Sequence, residues 1–145
     1  MERILIVLAI VAAAAAVAAL IQRSRPATPI RTGWTTPEQL NRADFSRPDS
    51  EWLVAVFTSA TCDACADVLT KAQVLQSDAV EVAEIEYNRD RAIHDRYAIE
   101  AVPAVLLADA SGVVRGTQLG PVSVTHLWAM VAEAREPGST PDGCS

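Results

Sequence analysis

Apolar and polar residues divide the chain into one long apolar run near the N-terminus and several shorter runs after it. Residues 4–21, ILIVLAIVAAAAAVAALI, contain no glycine, proline or charge. At about 1.5 Å per residue, a helix of this length would span roughly 27 Å, which is just enough to cross the hydrocarbon core of a bilayer. Residues 1–21 are therefore predicted to form a single transmembrane anchor.

A cleaved signal peptide is the alternative interpretation of this run. The run contains an A-x-A triplet at residues 16–18, but the triplet lies within the apolar residues and not after them. The run also exceeds the ~7 to 15 residues that are usual for the core of a signal peptide. Both features favour the anchor.

Positive charges on the two sides of the run indicate its orientation. Arg23, Arg25 and Arg31 follow the run, whereas only Arg3 precedes it. Lysine and arginine are enriched on the cytoplasmic side of membranes. The domain that follows is therefore predicted to be cytoplasmic. An exported domain stays as the alternative, because the free amino terminus adds a positive charge to the other side.

Changes of composition along the rest of the chain predict the domain limits. Residues 22–36 contain prolines and arginines without an apolar period, as a flexible linker does. One folded domain is predicted over residues 37–136. Residues 137–145, rich in Gly, Pro and Ser, are predicted to form a disordered tail. Residues 37–45, PEQLNRADF, fit either a short helix or an entering strand.

Short apolar runs in the domain alternate between strand and helix patterns. The run WLVAVFT, residues 52–58, is typical of a strand buried on both faces. Residues 62–76 carry apolar side chains at helical spacing. Residues 80–86 alternate apolar and acidic side chains like a half-covered strand, and residues 89–99 are helical in composition. This order predicts a parallel βαβ crossover.

The second half of the domain has the pattern of a hairpin and a closing helix. Residues 101–120 hold two apolar runs around DASG, a turn signal that joins antiparallel neighbours. Residues 124–135 are predicted to form a helix that turns Leu127, Trp128 and Val131 toward the core. We therefore expect an α/β domain with parallel and antiparallel neighbours in its sheet.

Charge and cysteine content argue against two broad classes of protein. The formal net charge of −6 disfavours a nucleic-acid-binding protein, which needs a basic surface. Three cysteines are too few, and odd in number, for the disulfide framework of a small secreted domain. Two of them, Cys62 and Cys65, form a C-x-x-C pair at the point where a strand gives way to a helix.

A C-x-x-C pair in this position has a chemical rationale. Unpaired N–H groups and the positive end of the helix dipole lower the pKa of a thiol in the first turn and make it nucleophilic. A second cysteine one turn onward is close enough to attack a mixed disulfide formed by the first. We therefore expect Cys62 to attack a substrate and Cys65 to resolve the intermediate.

Two other interpretations of the pair stay open. A structural zinc site needs four ligands, and the remaining candidates, His94, His126 and Cys144, have unsuitable spacing, so no metal site is predicted. Free cysteines are also often buried in protein cores. Such a core role explains Cys65 better than Cys62.

Four features, in order, resemble thioredoxin-fold proteins over about residues 37–135: the strand WLVAVF, the CDAC pair at a helix start, the segment YAIEAVPAVLLAD, and Gly120 before the last helix. The resemblance implies a thioredoxin-like three-layer α/β/α fold with a mixed central sheet. It also implies a cis peptide bond between Val102 and Pro103, with Pro103 facing the disulfide and the Val102 backbone binding an extended substrate. A trans Pro103 that begins a strand is the alternative.

The chain departs from the thioredoxin pattern in and around the cysteine motif. TCDAC stands in place of WCGPC, and the carboxylate of Asp63 disfavours a thiolate beside it, so a couple more reducing than that of thioredoxin is predicted. The family's buried Asp and a Lys on the next strand correspond to Val56 and Glu84. Loss of the buried carboxylate puts rapid general reductase turnover in doubt, and Glu84 is either a substitute proton acceptor or a solvated residue.

Other conspicuous side chains are predicted to have structural roles or none. His94 and His126 are expected on helices among polar neighbours, without a catalytic function. Trp52 and Trp128 are expected to contribute to packing, and the acidic residues of EVAEIE to lie on a solvated face. Cys144, in the tail, is either a third thiol, an anchor for a mixed disulfide, or without a role, and the last is favoured.

Two functional hypotheses follow from the resemblance. The first is a membrane-tethered thiol–disulfide oxidoreductase that exchanges disulfides with protein cysteines and needs no cofactor, only an upstream redox partner. The second is a non-catalytic or redox-sensing interaction module bound to a membrane partner. The substrate, the direction of electron flow and the oligomeric state do not follow from the sequence.

Overall fold

A computed structural model of the chain describes residues 35–139. The predicted membrane anchor over residues 1–21, nearly all of the predicted linker over residues 22–36, and Cys144 lie outside the described residues. None of the helices within residues 35–139 is long and apolar enough to cross a membrane. The anchor, the linker and the domain limits at residues 37 and 136 therefore stay predictions.

Strands and helices alternate along the described residues. Their order is β1 (Trp52–Thr58), α1 (Cys65–Gln73), β2 (Val80–Glu86), α2 (Arg91–Arg96), β3 (Ala104–Asp109), β4 (Val114–Leu119) and α3 (Val124–Arg135). The four strands form one sheet in the order β2-β1-β3-β4. β1 and β2 are parallel, whereas β3 is antiparallel to both β1 and β4. The predicted βαβ crossover, hairpin and mixed sheet are confirmed.

The core lies on both faces of β1, because all seven residues of this strand are buried. Its even-numbered side chains from Trp52 to Val56 join a cluster with residues of α1 and α3, including Val68, Leu127 and Val131. Its odd-numbered side chains, Leu53, Ala55 and Phe57, join a second cluster with Leu40, Ile85 and Tyr97. The sheet is thus a middle layer with apolar packing on each side, as the continuous apolar run predicts.

The segment before β1 contains a short helix, one of the two structures that its sequence left open, and only a single isolated bridge in place of the entering strand. Gln39 forms an isolated antiparallel bridge with Val113, and residues Arg42–Asp44 form a short 3-10 helix capped by the side chain of Asn41. The Tyr97 hydroxyl fastens this segment, because it accepts the Asn41 N–H at 2.9 Å and donates to Asp44 Oδ2 at 2.6 Å.

The hairpin turn between β3 and β4 is built by an aspartate and a glycine. Asp109 Oδ1 accepts hydrogen bonds from the backbone N–H groups of Ser111 and Val113, and Asp109 Oδ2 accepts from Arg115 Nε at 2.7 Å. Gly112 has a φ of +83°, and a Cβ there would lie 2.0 Å from the Leu40 carbonyl oxygen. The turn therefore requires glycine for two reasons, its left-handed backbone and the close approach of the N-terminal segment.

Helix limits and one helix face differ from the prediction. α1 begins at Cys65 and not at Cys62, and α2 covers only the middle of the predicted residues 89–99. Trp128 does not point to the core: 52 % of it is exposed, whereas Leu127 is fully buried. Successive residues of a helix are about 100° apart, so the face that buries Leu127 and Val131 turns Trp128 outward.

Two polar residues are buried where the prediction placed them among polar or solvated surroundings. Glu81, in EVAEIE, is 2 % exposed and accepts hydrogen bonds from Ser46 Oγ and the Arg47 N–H. His94 is also 2 % exposed, packs edge-on against Phe57, and donates from Nε2 to a backbone carbonyl. Each side chain is only partly satisfied, because Glu81 Oε2 and His94 Nδ1 are buried without a hydrogen-bond partner, although Arg42 Nη2 lies 4.0 Å from Glu81 Oε2.

Candidate functional site

The two cysteines of the C-x-x-C pair are joined by a disulfide bond in the structure. Their Cα atoms are 5.4 Å apart. Cys62 is half-buried in the turn between β1 and α1, whereas Cys65, the first residue of α1, is only 3 % exposed. Cys62 is therefore the more exposed residue of the pair, and Cys65 is covered.

Consecutive hydrogen-bonded turns carry the chain from β1 into α1. The Cys62 N–H donates to the Ser59 carbonyl at 3.1 Å, and the Cys65 N–H donates to the Cys62 carbonyl at 3.2 Å. Ala64, which precedes α1, has a helical φ and ψ but no side-chain cap. The first N–H groups of α1 thus lie next to the disulfide, where they favour negative charge.

The peptide bond between Val102 and Pro103 is cis, as the resemblance implies. Pro103 is buried and Val102 half-buried immediately before β3. The antiparallel register pairs Ala104, the first residue of β3, with Phe57 near the end of β1. The cis proline and the turn that carries Cys62 therefore leave the sheet at the same edge.

Gly120 completes this edge from the other side of β3. Its N–H donates to the Pro103 carbonyl at 2.8 Å, and its φ of +81° is one that L-residues rarely adopt. Ser123 caps α3 three residues later by accepting the His126 N–H. The predicted glycine before the last helix is thus a direct neighbour of the cis proline.

Comparison with known proteins identifies the fold. No protein-family model matches the chain, and no curated protein matches it in sequence. A thioredoxin variant from Halobacterium salinarum NRC-1 matches with a TM-score of 0.56 and 21% identity, over 72% of this chain and 97% of that chain. A malarial protein matches with a TM-score of 0.53 and 15% identity, over 59% of this chain and 98% of that chain.

The chain has a thioredoxin-like fold. At these identities the likeness concerns the backbone arrangement alone, so the chemistry of the thioredoxin-like domain has to be argued from its own side chains.

Val56 occupies the position at which the resemblance places a buried carboxylate. It is fully buried in the apolar cluster under α1 and α3. Its register partner on β2 is Glu84, so the two positions that the sequence comparison picked out are neighbours in the sheet. The interior below the disulfide of the thioredoxin-like domain is therefore apolar at this point.

Glu84 lies on β2, the outer strand of the sheet, and its side chain accepts a hydrogen bond from the last residue of β1. Its Oε1 accepts the hydroxyl of Thr58 at 3.1 Å, and its Oε2 is 3.6 Å from Arg89 Nη1. Thr58 itself is only 3 % exposed. The carboxylate is thus a hydrogen-bonded surface group, and neither a free solvated residue nor a buried one.

A second carboxylate on the same face, Glu86, contacts the turn before Cys62. Glu86 Oε1 accepts the Ala60 N–H at 3.2 Å, and Oε2 accepts the N–H groups of Asn88 and Arg89, each at 3.0 Å. The hydrogen bond from the Arg89 N–H is the largest cause that lowers the pKa of Glu86, and the bonds from the N–H groups of Ala60 and Asn88 lower it further. Together they outweigh desolvation, which raises the pKa. Glu86 therefore stays ionised at neutral pH.

Sequence reasoning missed the role of Glu86 and of Thr58. Glu86 was counted with the solvated acidic residues of its strand, and no motif connects it to the cysteines. The only available signal was its place as the last residue of a strand predicted to run parallel to the one that precedes Cys62. Ends of parallel neighbours meet at one edge of the sheet.

The residues considered as metal ligands are not brought together. His94 is in the core beneath the sheet edge, and His126 is exposed on α3. Across residues 35–139 there is no group of three or more His, Cys, Asp and Glu side chains that could hold a metal ion.

Proposed function

We propose that the protein is a membrane-tethered thiol–disulfide oxidoreductase that exchanges disulfides with cysteines of other proteins. The observation that carries the proposal is the disulfide between the accessible Cys62 and the covered Cys65, at the edge of a thioredoxin-like sheet beside a cis proline. An upstream dithiol or disulfide protein restores the starting state. No organic cofactor is required.

In the reducing direction, the Cys62 thiolate attacks one sulfur of a substrate disulfide. The substrate S–S bond breaks, its other sulfur leaves as a thiolate and takes a proton, and a mixed disulfide to Cys62 forms. Cys65 then loses its proton, attacks the Cys62 sulfur, and releases the second substrate thiol. The substrate gains two electrons and the Cys62–Cys65 disulfide forms, so the reverse sequence oxidises a substrate dithiol.

Exposure of the cysteines supports this division of roles. A large substrate contacts the more exposed residue of the pair, which is Cys62. Cys65 at 3 % exposure meets the Cys62 sulfur and is shielded from other thiols. Val102, half-buried beside the same edge, is suited to present its backbone to an extended substrate segment.

The tether in the proposal rests on the apolar run over residues 4–21, with the domain on the cytoplasmic side. Protease added to sealed inside-out vesicles should digest the domain, and protease added to right-side-out vesicles should leave it intact. The opposite pattern would indicate an exported domain. Release of the chain from membranes by carbonate would contradict the anchor.

Turnover of a protein disulfide tests the catalytic part of the proposal. The full chain, in detergent and with a dithiol reductant, should accelerate reduction of a disulfide-bonded protein over the reductant alone. The Cys62→Ser variant should lose this acceleration, whereas Cys144→Ser should retain it. Equal rates for the full chain and for Cys62→Ser would contradict catalysis by the pair.

A non-catalytic interaction module is a second candidate, and the burial of Val56 in apolar surroundings favours it, since no carboxylate lies there to accept the proton of Cys65. Replacing Cys62 and Cys65 together by serine separates the candidates. An interaction module keeps its membrane partners after this change. An oxidoreductase loses turnover and covalently trapped substrates.

A further inference from the structure

Glu86 joins two loops that meet at the cysteine edge of the sheet. One is the turn of residues 59–62, which leads from β1 to the disulfide, and the other is residues 87–90, which lead from β2 to α2. Glu86 is the last residue of β2, and its register partner is Thr58, the last residue of β1. Its side chain therefore stands where both strands end.

The carboxylate of Glu86 accepts hydrogen bonds from both loops, and its Oε1 also accepts the Asn88 side-chain amide at 3.4 Å. Oε1 accepts the Ala60 N–H at 3.2 Å, two residues before Cys62, and Oε2 accepts the N–H groups of Asn88 and Arg89. The loop containing Asn88 is itself held by two backbone bonds, from the Asp90 N–H to the Glu86 carbonyl at 2.7 Å and from the Tyr87 N–H to the Thr58 carbonyl at 2.9 Å. Glu86 thus ties the turn before Cys62 to an ordered support.

Other hydrogen bonds of the turn are local. The Cys62 N–H bonds to the Ser59 carbonyl, and the Thr61 N–H bonds weakly to Ser59 Oγ at 3.4 Å. Ala60 and Thr61 are exposed, so packing contributes little to their order. The bond to Glu86 is consequently a restraint that links this stretch to another loop, and its acceptor is charged, which favours the bond over a neutral one.

We propose that Glu86 is a positioning residue for Cys62, which holds the turn before it in the conformation that the disulfide requires. The inference rests on the proposed function, because it concerns the equilibrium between the dithiol and the disulfide. When both cysteines are reduced, the turn acts together with the Cys65 N–H bond to the Cys62 carbonyl to keep Cys62 near Cys65. A turn held by Glu86 has fewer conformations to lose when the disulfide forms.

Loss of the Glu86 carboxylate shifts this equilibrium toward the dithiol for two reasons. The freed turn gives the reduced form more conformations, so the disulfide becomes less favourable. Removal of the negative charge that Glu86 places on the Ala60 N–H, two residues before Cys62, also favours a thiolate in the reduced form. Both effects make the couple more oxidising.

Equilibration with glutathione measures the effect in the full-length chain carrying Cys144→Ser, so that only Cys62 and Cys65 titrate. Glu86→Ala should lower the equilibrium constant for disulfide formation at least about threefold, which corresponds to a potential about 14 mV higher. Hydrogen exchange of the Ala60 amide should be faster in the same variant. Glu86→Gln should act in the same direction, because one amide oxygen replaces two carboxylate oxygens and the charge is absent.

Glu84→Ala is the matched control. Glu84 lies on the same strand and face and carries the same charge, but it bonds the Thr58 hydroxyl and Arg89, not the backbone of the turn. This variant should change the equilibrium constant by less than Glu86→Ala does. An equal change in the two variants would overturn the inference, since a general charge effect would then explain both.

The outcomes distinguish this inference from the proposed function. If the unsubstituted pair forms no reversible couple, the proposed function fails. If the pair is reversible but Glu86→Ala and Glu86→Gln leave its equilibrium constant unchanged, the positioning role alone is wrong. Should Glu86→Ala not fold, Glu86→Gln carries the test, since it preserves the size of the side chain.

Discussion

Cys65 is buried to 3 % exposure at the first residue of α1, and its disulfide partner Cys62 is half-buried in the turn before it. The two residues joined by this bond therefore differ in exposure. Under the proposed function, a protein substrate that approaches this edge of the sheet meets Cys62 first, and Cys65 then resolves the mixed disulfide.

Single replacements of the two cysteines should consequently have different results. Cys65→Ser should accumulate mixed disulfides with substrate proteins through Cys62, because no thiol remains to release them. Cys62→Ser should accumulate few, since its remaining thiol is covered. Non-reducing electrophoresis of alkylated membranes checks this, with Cys144→Ser present in both variants. Equal trapping by the two variants would contradict the assignment of Cys62 as the attacking residue.

Asp109 should make the domain dependent on pH in the acid range. Partial burial acts to raise the pKa of Asp109, but hydrogen bonds from Ser111, Arg115 and Val113 outweigh it and lower the pKa to about 2. Because the pKa is lower in the folded than in the unfolded chain, this stabilisation is full above about pH 4 and is lost as the pH falls through about 2.

Asp109→Asn should therefore lower the free energy of unfolding by about 2 kcal/mol at pH 7 and by little at pH 2. Urea unfolding of the two proteins at both pH values measures the difference. A loss that is the same at pH 2 and pH 7 would show that the charge of Asp109 is not its cause.

The two tryptophans in the described residues should differ in their contribution to stability. Trp52 is 8 % exposed and lies in the apolar cluster under α1 and α3, whereas Trp128 is 52 % exposed. Trp52→Ala should cost about 3–5 kcal/mol, as replacement of a large core side chain usually does. Trp128→Ala should cost no more than about 0.5 kcal/mol. Unfolding followed by circular dichroism tests both, and similar costs would contradict the orientation of α3.

Replacement of Val56 by a smaller apolar residue should destabilise the domain less than replacement by Asp, the residue that the thioredoxin pattern has at this position. Val56→Asp places a carboxylate in an apolar cluster without a partner, and should lower the free energy of unfolding by about 3 kcal/mol or more. Val56→Ala, the control, should cost about 2 kcal/mol. Urea unfolding compares the two. An Asp variant as stable as the Ala variant would indicate that a polar group or water reaches this position.

The local sequence was sufficient to predict the strands and helices whose limits depend on adjacent residues. β1, β2 and α3 begin and end at the predicted residues, because each is a continuous or periodic run bounded by polar or turn residues. The hairpin could be predicted because Asp109 and Gly112 are the first and last residues of DASG, a turn sequence that lies between two apolar runs. The parallel crossover followed from the order of the elements.

Contacts between segments that are distant in the chain could not be predicted from local sequence. Burial of Glu81 depends on Ser46 and Arg47, and the support of the turn before Cys62 depends on Glu86 at the end of another strand. The outward position of Trp128 was obscured because α3 is apolar on most of its surface, so its sequence does not single out one core face.

The candidate site was readable only where a motif marks it. The C-x-x-C spacing identified the cysteine pair, and the resemblance to thioredoxins implied the cis peptide bond before Pro103, which the structure contains. The unequal exposure of Cys62 and Cys65 was partly predictable, because a core role explains Cys65 better than Cys62, and the structure buries Cys65 with Val68 on the inner face of α1. The Gly120 N–H bond to the Pro103 carbonyl had no sequence signal, because it depends on the register of β3 and β4.

The most direct test of the account is the equilibrium redox potential of the Cys62–Cys65 pair, titrated in the full chain with Cys144→Ser against glutathione or dithiothreitol. The account predicts a reversible two-electron couple, near or below about −270 mV for a reductase and near about −120 mV for an oxidant. The substitution of TCDAC for WCGPC favours the former. If the pair forms no disulfide at any redox potential of the buffer, the proposal of an oxidoreductase is contradicted. The interaction module is then the function that is left for the domain.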